Sequence, residues 1–330
     1  MKIISTTIIT FFFLTTSLLA EVKQTLTVYT YDSFNTEWGP GPQIEKAFEE
    51  NCNCDLRFVS VGDGAALLAK IRLEGEKTKA DVVLGLDSNV LKEARETKLF
   101  LPNSFYTELD LPTQWEDDTF LPFDWGFFAF VFDKNKTKNI PKSFEELANS
   151  DMRLVIQDPR SSTPGLGLLL WIQKVFGKDS KFMWEKLSDN IVTVTPGWSE
   201  AYGLFLEGEA DGVLSYTTSP VYHIVAEKDF SKEAAIFKEG HLMQIEVAAV
   251  TASTEKKKLA KSFMAFLISD KAQSIIPTTN WMYPAKKPKS PLPEAFNYKI
   301  TQDNAIYLQP DSVSELTSIA LKIWKQALRK

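Results

Sequence analysis

Short apolar runs alternate with amphipathic runs along the first third of the chain. Runs rich in β-branched residues are typical of buried strands, whereas apolar positions three and four residues apart are typical of helices. This alternation predicts a parallel sheet with helices on its faces. The predicted strands span residues 26–31, 55–61 and 81–86, and the predicted helices span residues 43–50, 64–74 and 88–97, the last with Ser88 as its N-cap.

A second unit of the same kind follows a proline-bearing loop at residues 121–124. The run FFAFVFD at residues 127–133 is the most strand-like in the chain, so we expect the chain to cross between two lobes there. A further strand at residues 240–250 would carry it back, and the remainder is predicted to be mostly helical. Inside the second unit, the predicted strands span residues 154–157, 191–194 and 212–216, and the predicted helices span residues 163–176, 181–188 and 199–207.

This order predicts an α/β protein with two sheets that are flanked by helices and joined by two crossings. Ligands of such folds bind where strands end and loops lead into helices, which here is the cleft between the lobes. We expect the first lobe to comprise residues 21–125 together with residues 244–330, which include the C-terminal helices. The second lobe would comprise residues 126–243.

Residues 1–20 have the pattern of a secretory signal. Lys2 precedes an apolar run from Ile3 to Leu19, and Ala20 is a small residue at a plausible cleavage point. An uncleaved membrane anchor is the weaker alternative, because the run is short and rich in Thr and Ser. We therefore expect an exported protein. The net charge of −6, without a basic stripe, argues against nucleic acid as a partner.

Cys52 and Cys54 are the two cysteines of the chain. An oxidising compartment permits a bridge between them, and we favour a small local disulfide over two free thiols. Two cysteines without a nearby histidine do not form a zinc site. The pair therefore predicts no metal centre.

Large aromatic side chains follow the first predicted strand. Tyr31, Phe34 and Trp38 precede the turn sequence at residues 39–42, which leads into a helix. Aromatic rings at the end of a strand favour a flat or cationic organic ligand. The alternative is that these rings pack in the core or in the turn.

The start of the helix predicted at residues 163–176 is the sharpest motif. Ser162 or Thr163 stands at its N-cap and Pro164 at its first position, where a missing N–H costs nothing. Free N–H groups, a hydroxyl and the positive end of the helix dipole suit a phosphate or carboxylate. The alternative is an ordinary, well-capped helix.

Further loops combine polar and aromatic side chains. Asp63 and Gly64 join a strand to a helix, and Trp198 lies in a turn before Ser199, the expected N-cap of the next helix. Each loop alone is a turn, but loops from different units that face one cleft would form a small-molecule site. The remaining aromatic candidates are Tyr216 and Tyr222 around residues 215–222 and Trp281 in the loop at residues 277–284.

The sequence contains little that indicates catalysis. His223 and His241 lie in no nucleophile or metal spacing, so we interpret both as structural. The carboxylates of Asp63, Asp124 and Asp158 are isolated along the chain and form no evident acid–base pair. The motifs of nucleophile elbows, phosphate loops and dinucleotide-binding folds do not occur in the sequence. We therefore predict a non-enzymatic protein without a cofactor.

Seven segments, taken in order, resemble one family. They are VYTYDSF with WGPGP, CNCDL, ADVVLGLD, QDPRSSTPGLGLLLW, GWSEAYGLFL, LSYTTSPVYH and NWMYP. They are similar to the periplasmic thiamine-binding proteins, which are the substrate-binding subunits of bacterial thiamine ABC importers. The resemblance covers nearly all of the chain after residue 20 and is weakest after Pro284.

The resemblance implies a two-lobed type 2 periplasmic binding protein fold with a hinge of two crossings. It also implies a periplasmic protein that delivers thiamine, thiamine monophosphate and thiamine diphosphate to the permease and ATPase subunits of an importer. By the same resemblance, Tyr31, Trp38, Tyr222 and Trp281 would enclose the two rings of thiamine. The thiazolium side chain and any phosphate would contact Asp63, Gly64, Ser162, Thr163, Trp198 and Tyr216.

Two alternatives remain open. A ferric-iron-binding protein of the same fold would use clustered tyrosines, for which Tyr216 and Tyr222 are suitably spaced. A secreted enzyme that acts on thiamine phosphates is the second and weaker alternative.

Overall fold

Strands and helices alternate through the residues that the computed structural model describes, which are 23–102, 108–297, 300 and 304–328. The predicted signal segment at residues 1–20 lies outside them. The strands are β1 (Gln24–Thr30), β2 (Cys54–Ser60), β3 (Val82–Asp87), β4 (Leu121–Asp133), β5 (Leu154–Gln157), β6 (Ile191–Thr195), β7 (Gly212–Tyr216), β8 (Lys232–Ala234), β9 (His241–Val250), β10 (Tyr283–Pro284) and β11 (Ala305–Ile306). The helices are α1 (Gly41–Cys52), α2 (Gly64–Glu74), α3 (Leu91–Glu96), α4 (Phe144–Ala148), α5 (Thr163–Phe176), α6 (Ser180–Leu187), α7 (Trp198–Leu206), α8 (Ser219–Tyr222), α9 (Lys257–Leu267), α10 (Asp270–Thr279) and α11 (Pro310–Ala327).

The strands form a single hydrogen-bonded path in the order β2-β1-β3-β9-β4-β7-β5-β6. We call β2-β1-β3 the first half-sheet and β7-β5-β6 the second half-sheet. Neighbours within each half-sheet are parallel, as the alternation of strands and helices predicts. The two half-sheets are joined by β9 and β4, which pair antiparallel with each other and with the strands on either side.

The long strands β4 and β9 are the two predicted crossings. The prediction of a loop at residues 121–124 was wrong, because β4 already begins at Leu121. Its pairing with β9 shifts register between Pro122 and Asp124, and a proline, which lacks an N–H, fits a strand at such an irregularity. The predicted lobe boundaries at residues 125/126 and 243/244 fall inside these strands and remain predictions.

Helices cover both faces of the sheet. The helix α9 packs on α1 and on the first half-sheet through aromatic rings. The ring centroid of Phe263 on α9 lies 5.2 Å from that of Phe48 on α1 and 6.4 Å from that of Phe58 on β2. In the second half, α5 is buried from Thr163 to Gln173. At Gly167, an added Cβ would lie 2.2 Å from the ring of Phe128, so the helix contacts β4 closely.

One predicted helix begins later than expected. Ser88 is not an N-cap, because α3 starts only at Leu91. The residues before it form a turn in which the Asp87 carboxylate accepts from the N–H of Asn89 at 2.7 Å. The Ser88 hydroxyl instead accepts from the N–H of Ile245 on β9 at 3.2 Å.

The predicted disulfide is confirmed. Cys52 ends α1 and Cys54 begins β2, and their Cα atoms lie 5.1 Å apart. Asn53 between them has a left-handed backbone with φ of 46°. Asn is among the residues that tolerate this conformation best, so the bridge closes over a turn suited to its sequence.

Tyr31 depends on a glycine in the neighbouring strand. Gly85 has φ of +104° and lies where the pairing of β3 with β9 shifts register. A Cβ at this position would lie 2.2 Å from the Tyr31 ring. The bulge in β3 therefore makes the space that the ring occupies.

We expect Gly85→Ala to lower the free energy of unfolding by about 3 kcal/mol or more, because it adds a steric clash to a positive φ. Gly177→Ala is the matched control, since Gly177 has φ of +52° and nothing within 4 Å of an added Cβ. The control should lose only about 1–2 kcal/mol. Urea unfolding measures both, and equal losses would show that the Tyr31 ring does not depend on this glycine.

Candidate ligand-binding site

A cavity of about 290 Å³ lies between the two halves of the molecule. Its walls come from loops and helix starts that follow the strands of both half-sheets, which is where open α/β sheets bind ligands. Seven of the ten predicted site residues line it: Tyr31, Trp38, Asp63, Trp198, Tyr216, Tyr222 and Trp281. That these residues bind a ligand remains a prediction.

Trp198 and Tyr202 form an aromatic wall on the second half. The helix α7 starts at Trp198 with Gly197 as its N-cap, so the expectation that Ser199 caps this helix was wrong. The indole N–H of Trp198 donates to the Ser215 hydroxyl at 2.8 Å, and its ring stacks on Tyr202 with centroids 4.9 Å apart. Trp38, from the first half, lies 6.3 Å from Trp198 across the cleft.

Tyr222 and Trp281 form a second aromatic wall. Their ring centroids lie 5.4 Å apart at an interplanar angle of 68°. Trp281 has φ of 56°, in the left-handed region that bulky residues avoid. Such strain persists only where surrounding contacts hold it, and it occurs often at functional sites.

Glu246 is one of the cavity residues that are not among the predicted site residues. It lies on β9 and is buried, and its Oε2 accepts a hydrogen bond from the Tyr31 hydroxyl at 2.8 Å. Asn280 Nδ2 donates to the same hydroxyl at 2.8 Å and to Asp124 Oδ2 at 2.7 Å. The signal in the sequence was a lone carboxylate inside the mostly apolar run at residues 240–250.

The buried carboxyl groups at and behind the cavity have raised pKa values. Burial raises the pKa of Asp124 to about 7, against hydrogen bonds with Asn280 and Glu246 that lower it. Burial, followed by the negative charge of Asp124, raises the pKa of Glu246 well above its usual value. Asp87, behind the site, has its pKa raised to about 6 by burial.

Asp63 joins the two halves across the cleft. It is the N-cap of α2, and its Oδ1 accepts from the N–H of Gly64 at 2.9 Å. Its Oδ2 accepts from the Ser162 hydroxyl at 2.7 Å, and the backbone N–H of Trp198 also donates to the carboxylate. Burial nevertheless raises its pKa. Two helix starts of the second half therefore contact this carboxylate.

Gly64, Ser162 and Thr163 do not line the cavity. Ser162 occupies the N-cap position of α5 without capping it, because its hydroxyl donates to Asp63 instead. The Thr163 side chain hydrogen-bonds Asp87, and a Cβ added to Gly64 would lie 2.3 Å from its Oγ1. The role that the resemblance gives these three residues stays a prediction.

The cavity walls are acidic and aromatic. A second cavity of about 120 Å³ shares Tyr31, Asp63 and Trp198 with the first and adds Asp32 and Glu200. Among the described residues, neither cavity has a Lys, Arg or His on its lining. Such a site suits an organic cation, because aromatic faces and carboxylates both attract positive charge.

Comparison with known proteins identifies the family. Residues 40–274 match the family described as "Bacterial extracellular solute-binding protein". The chain belongs to this family. This solute-binding protein is 51% identical to the thiamine-binding periplasmic protein of Escherichia coli (strain K12) over 311 residues, which are 93% of this chain and 94% of the relative.

Solved structures agree with the fold. A periplasmic thiamin binding protein superposes with a TM-score of 0.90 at 50% identity, over 93% of this chain and 97% of the other. Iron-bound HitA from Pseudomonas aeruginosa superposes with a TM-score of 0.74 at 20% identity, over 92% and 99%. The second likeness shows the fold alone. The two-lobed periplasmic binding protein fold predicted from the sequence is thus confirmed.

Both histidines of this solute-binding protein are buried and hydrogen-bonded. His241 is buried, and its ring accepts from the N–H of Phe237 at 2.9 Å while Nδ1 lies 2.8 Å from the carbonyl of Phe128. Burial lowers its pKa to about 4, so the ring is neutral.

No helix within the described ranges is both long and apolar enough to cross a membrane.

His223 supports the aromatic walls from outside the cavity. Its Nε2 lies 2.9 Å from the Tyr202 hydroxyl, and its Nδ1 lies 2.6 Å from Glu227 Oε2. Glu227 also hydrogen-bonds Tyr222. Two cavity tyrosines are therefore connected through one buried histidine and one glutamate. The nearby Asp229 is paired with Lys232 at 3.2 Å, which balances its charge.

We expect Tyr202→Phe to lower the free energy of unfolding by about 1–3 kcal/mol, because the buried His223 Nε2 loses its partner. Tyr29→Phe is the control, since the Tyr29 hydroxyl bonds Glu74 away from the cavity. It should lose less stability than Tyr202→Phe, because the Glu74 side chain is 24% exposed and keeps its contact with Lys70. Thermal unfolding followed by circular dichroism measures both variants, and an unchanged Tyr202→Phe would contradict the proposed support.

Proposed function

We propose that this chain is a periplasmic, non-enzymatic solute-binding protein that captures thiamine for an ABC importer. The observation that carries the proposal is the cavity, which combines aromatic walls with buried carboxyl groups and, in the described residues, has no basic side chain on its lining. The half-identical relative and solved structure, both named for thiamine binding, support the same ligand.

The chemistry of thiamine matches these walls. Its thiazolium ring is a permanent cation, and an aromatic face attracts a cation by about 0.5–2 kcal/mol, depending on desolvation. Its aminopyrimidine ring is flat and polar at the edge, which suits stacking between Tyr and Trp side chains. The cavity of about 290 Å³ is at the lower end of the usual range for small-molecule sites.

We extend the proposal to thiamine monophosphate and thiamine diphosphate. The second cavity adjoins the first and is lined, beside the acidic side chains described above, by Gly62, Ser161 and Gly197. Hydroxyl and backbone N–H groups in such loops can bind a phosphate without a cationic side chain. Neutral donors of this kind do not require a phosphate, so the same site would also accept the uncharged alcohol.

Location and partners follow from the same family. The relatives are named as periplasmic proteins, and the disulfide between Cys52 and Cys54 suits an oxidising compartment. The signal pattern at residues 1–20 supports export. We propose that the protein delivers its ligand to the permease and ATPase subunits of the importer, with closure of the two lobes as the conformational change that they detect.

The two alternatives have less support. Tyr216 and Tyr222 line the same cavity, but the iron-bound relative is 20% identical and shares only the fold. The high-identity relatives are named as binding proteins, which favours binding over catalysis on thiamine phosphates.

Calorimetry with purified protein tests the function directly. We expect thiamine to bind with nanomolar affinity and to quench tryptophan fluorescence, because Trp38, Trp198 and Trp281 line the cavity. Absence of heat with thiamine and both phosphates would overturn the proposal. A tyrosinate-to-iron absorption band on addition of ferric ion would favour iron, and phosphate release from thiamine diphosphate would favour an enzyme.

Trp38→Leu tests the contribution of one aromatic face. Trp38 is 53% exposed, so its loss should leave stability nearly unchanged. We expect affinity for thiamine to fall about 2- to 30-fold, the equivalent of one cation–π contact. Phe230→Leu is the control, because Phe230 is 61% exposed and off the cavity lining. Equal affinities of both variants for thiamine would show that Trp38 does not contribute to binding.

A further inference from the structure

Two carboxyl groups face each other beneath the cavity. Asp124 on β4 and Glu246 on β9 are directly paired in the register of the two crossing strands. Like charges directly opposite each other destabilise a sheet, and both residues are buried. Because β4 and β9 join the two halves, this pair lies at the centre of the molecule. Glu246 also lines the cavity, so the pair can interact with whatever enters it.

Neutral groups alone hold the pair among the described residues. Glu246 accepts from the Tyr31 hydroxyl at 2.8 Å and from Gln244 Nε2 at 3.3 Å. Asp124 Oδ2 accepts from Asn280 at 2.7 Å, whereas Asp124 Oδ1 receives no hydrogen bond from an ordinary donor there. A hydrogen bond between Asp124 and Glu246 needs a proton on one of the two carboxyls. The direct pairing of two buried carboxyls in neighbouring strands therefore favours one shared proton and one negative charge.

Asp63, the other acidic residue on the lining of the first cavity, is less available to balance the charge of a ligand. Its carboxylate already accepts from the Ser162 hydroxyl and from the N–H groups of Gly64 and Trp198. Three donors stabilise its charge. The Asp124–Glu246 pair also receives three hydrogen bonds, but they are divided between two carboxyls, and the pair has no cationic partner among these contacts.

We infer that the Asp124–Glu246 pair is the counter-charge for the thiazolium cation and that Glu246 determines specificity for cationic over neutral ligands. The inference rests on the proposed function. The pair shares a proton before the ligand binds and releases it when the cation arrives, because a nearby positive charge favours the ionised form. The carboxyl proton passes to solvent, and no bond in the ligand changes.

The surroundings of the pair fix the direction of the pH effect. The titratable groups that face it are Asp63 from α2, Asp87 from β3, Tyr31 after β1 and Tyr216 from β7, and none of these can supply a positive charge. Burial raises the pKa of Asp124 to about 7 and that of Glu246 well above its usual value. Bound thiazolium should lower both pKa values. Binding near neutral pH should therefore release a proton, and affinity should fall as the solution is acidified.

Calorimetry with a cation and its neutral isostere tests the specificity. The ligands are thiamine and deazathiamine, in which a neutral thiophene replaces the thiazolium. Glu246→Gln should weaken thiamine binding by about tenfold or more, the effect of one buried charge, and deazathiamine binding by less than about threefold. Glu239→Gln is the matched control, since Glu239 is a half-buried glutamate that lies off the linings of both cavities. It should leave both affinities unchanged.

Proton release gives an independent measurement on the unaltered protein. Thiamine titrations at neutral pH, in buffers of different ionisation enthalpy, should show net release of protons by the wild type. Glu246→Gln and Asp124→Asn should reduce this release, and both should flatten the decline in affinity between about pH 7.5 and about pH 5.5. Asp124 lies off the cavity lining, so its variant leaves the ligand-contact surface intact.

The outcomes separate the two proposals. If the wild type does not bind thiamine, the proposed function itself fails. If the wild type binds thiamine but releases no proton, the counter-charge inference fails whether or not the variants fold. Equal weakening of thiamine and deazathiamine by Glu246→Gln would show that Glu246 only shapes the site and would also overturn the inference.

Discussion

The antiparallel pairing of β4 with β9 is the interaction on which the rest of the structure depends. Each half-sheet is parallel, and in the described part of the chain β4 and β9 are the strands that connect one half-sheet to the other. Asp124 and Glu246 face each other within this pairing, so two buried acidic groups lie on the backbone that joins the halves. The pairing of the strands keeps the two carboxyls opposite each other, whereas a loop would allow them to separate.

The cavity is built around this pairing by side chains from several strand ends. Tyr31 connects the pair to the first half-sheet through Glu246, and Asn280 connects it to the loop that contains Trp281. At Gly126 on β4, an added Cβ would lie 2.6 Å from Met282 Cε, so this loop packs directly on the crossing strand. One hydrogen-bonded network thus positions both the Asp124–Glu246 pair and the loop of Trp281, which forms an aromatic wall with Tyr222.

Much of this could be predicted from local patterns. The apolar run that forms α5 and the aromatic residues after β1 carry their signals within a few residues of sequence. Long-range partners carry no such signal. The Ser162 hydroxyl donates to Asp63, which is 99 residues away in sequence, and does not cap its own helix. Glu246 was missed because a buried strand residue reveals its role only when Asp124 and Tyr31 are placed beside it.

The left-handed backbone of Trp281 lowers stability at a residue that we propose contacts the ligand. Glycine or asparagine would adopt φ of 56° at little cost, whereas a bulky side chain pays for it. Stability alone would favour glycine or asparagine at this position, whereas the proposed contact with the ligand requires the indole. Under the proposed function, Trp281 is thus a residue where a stabilising substitution should coincide with loss of function, the trade-off expected when a protein stores strain in its binding site.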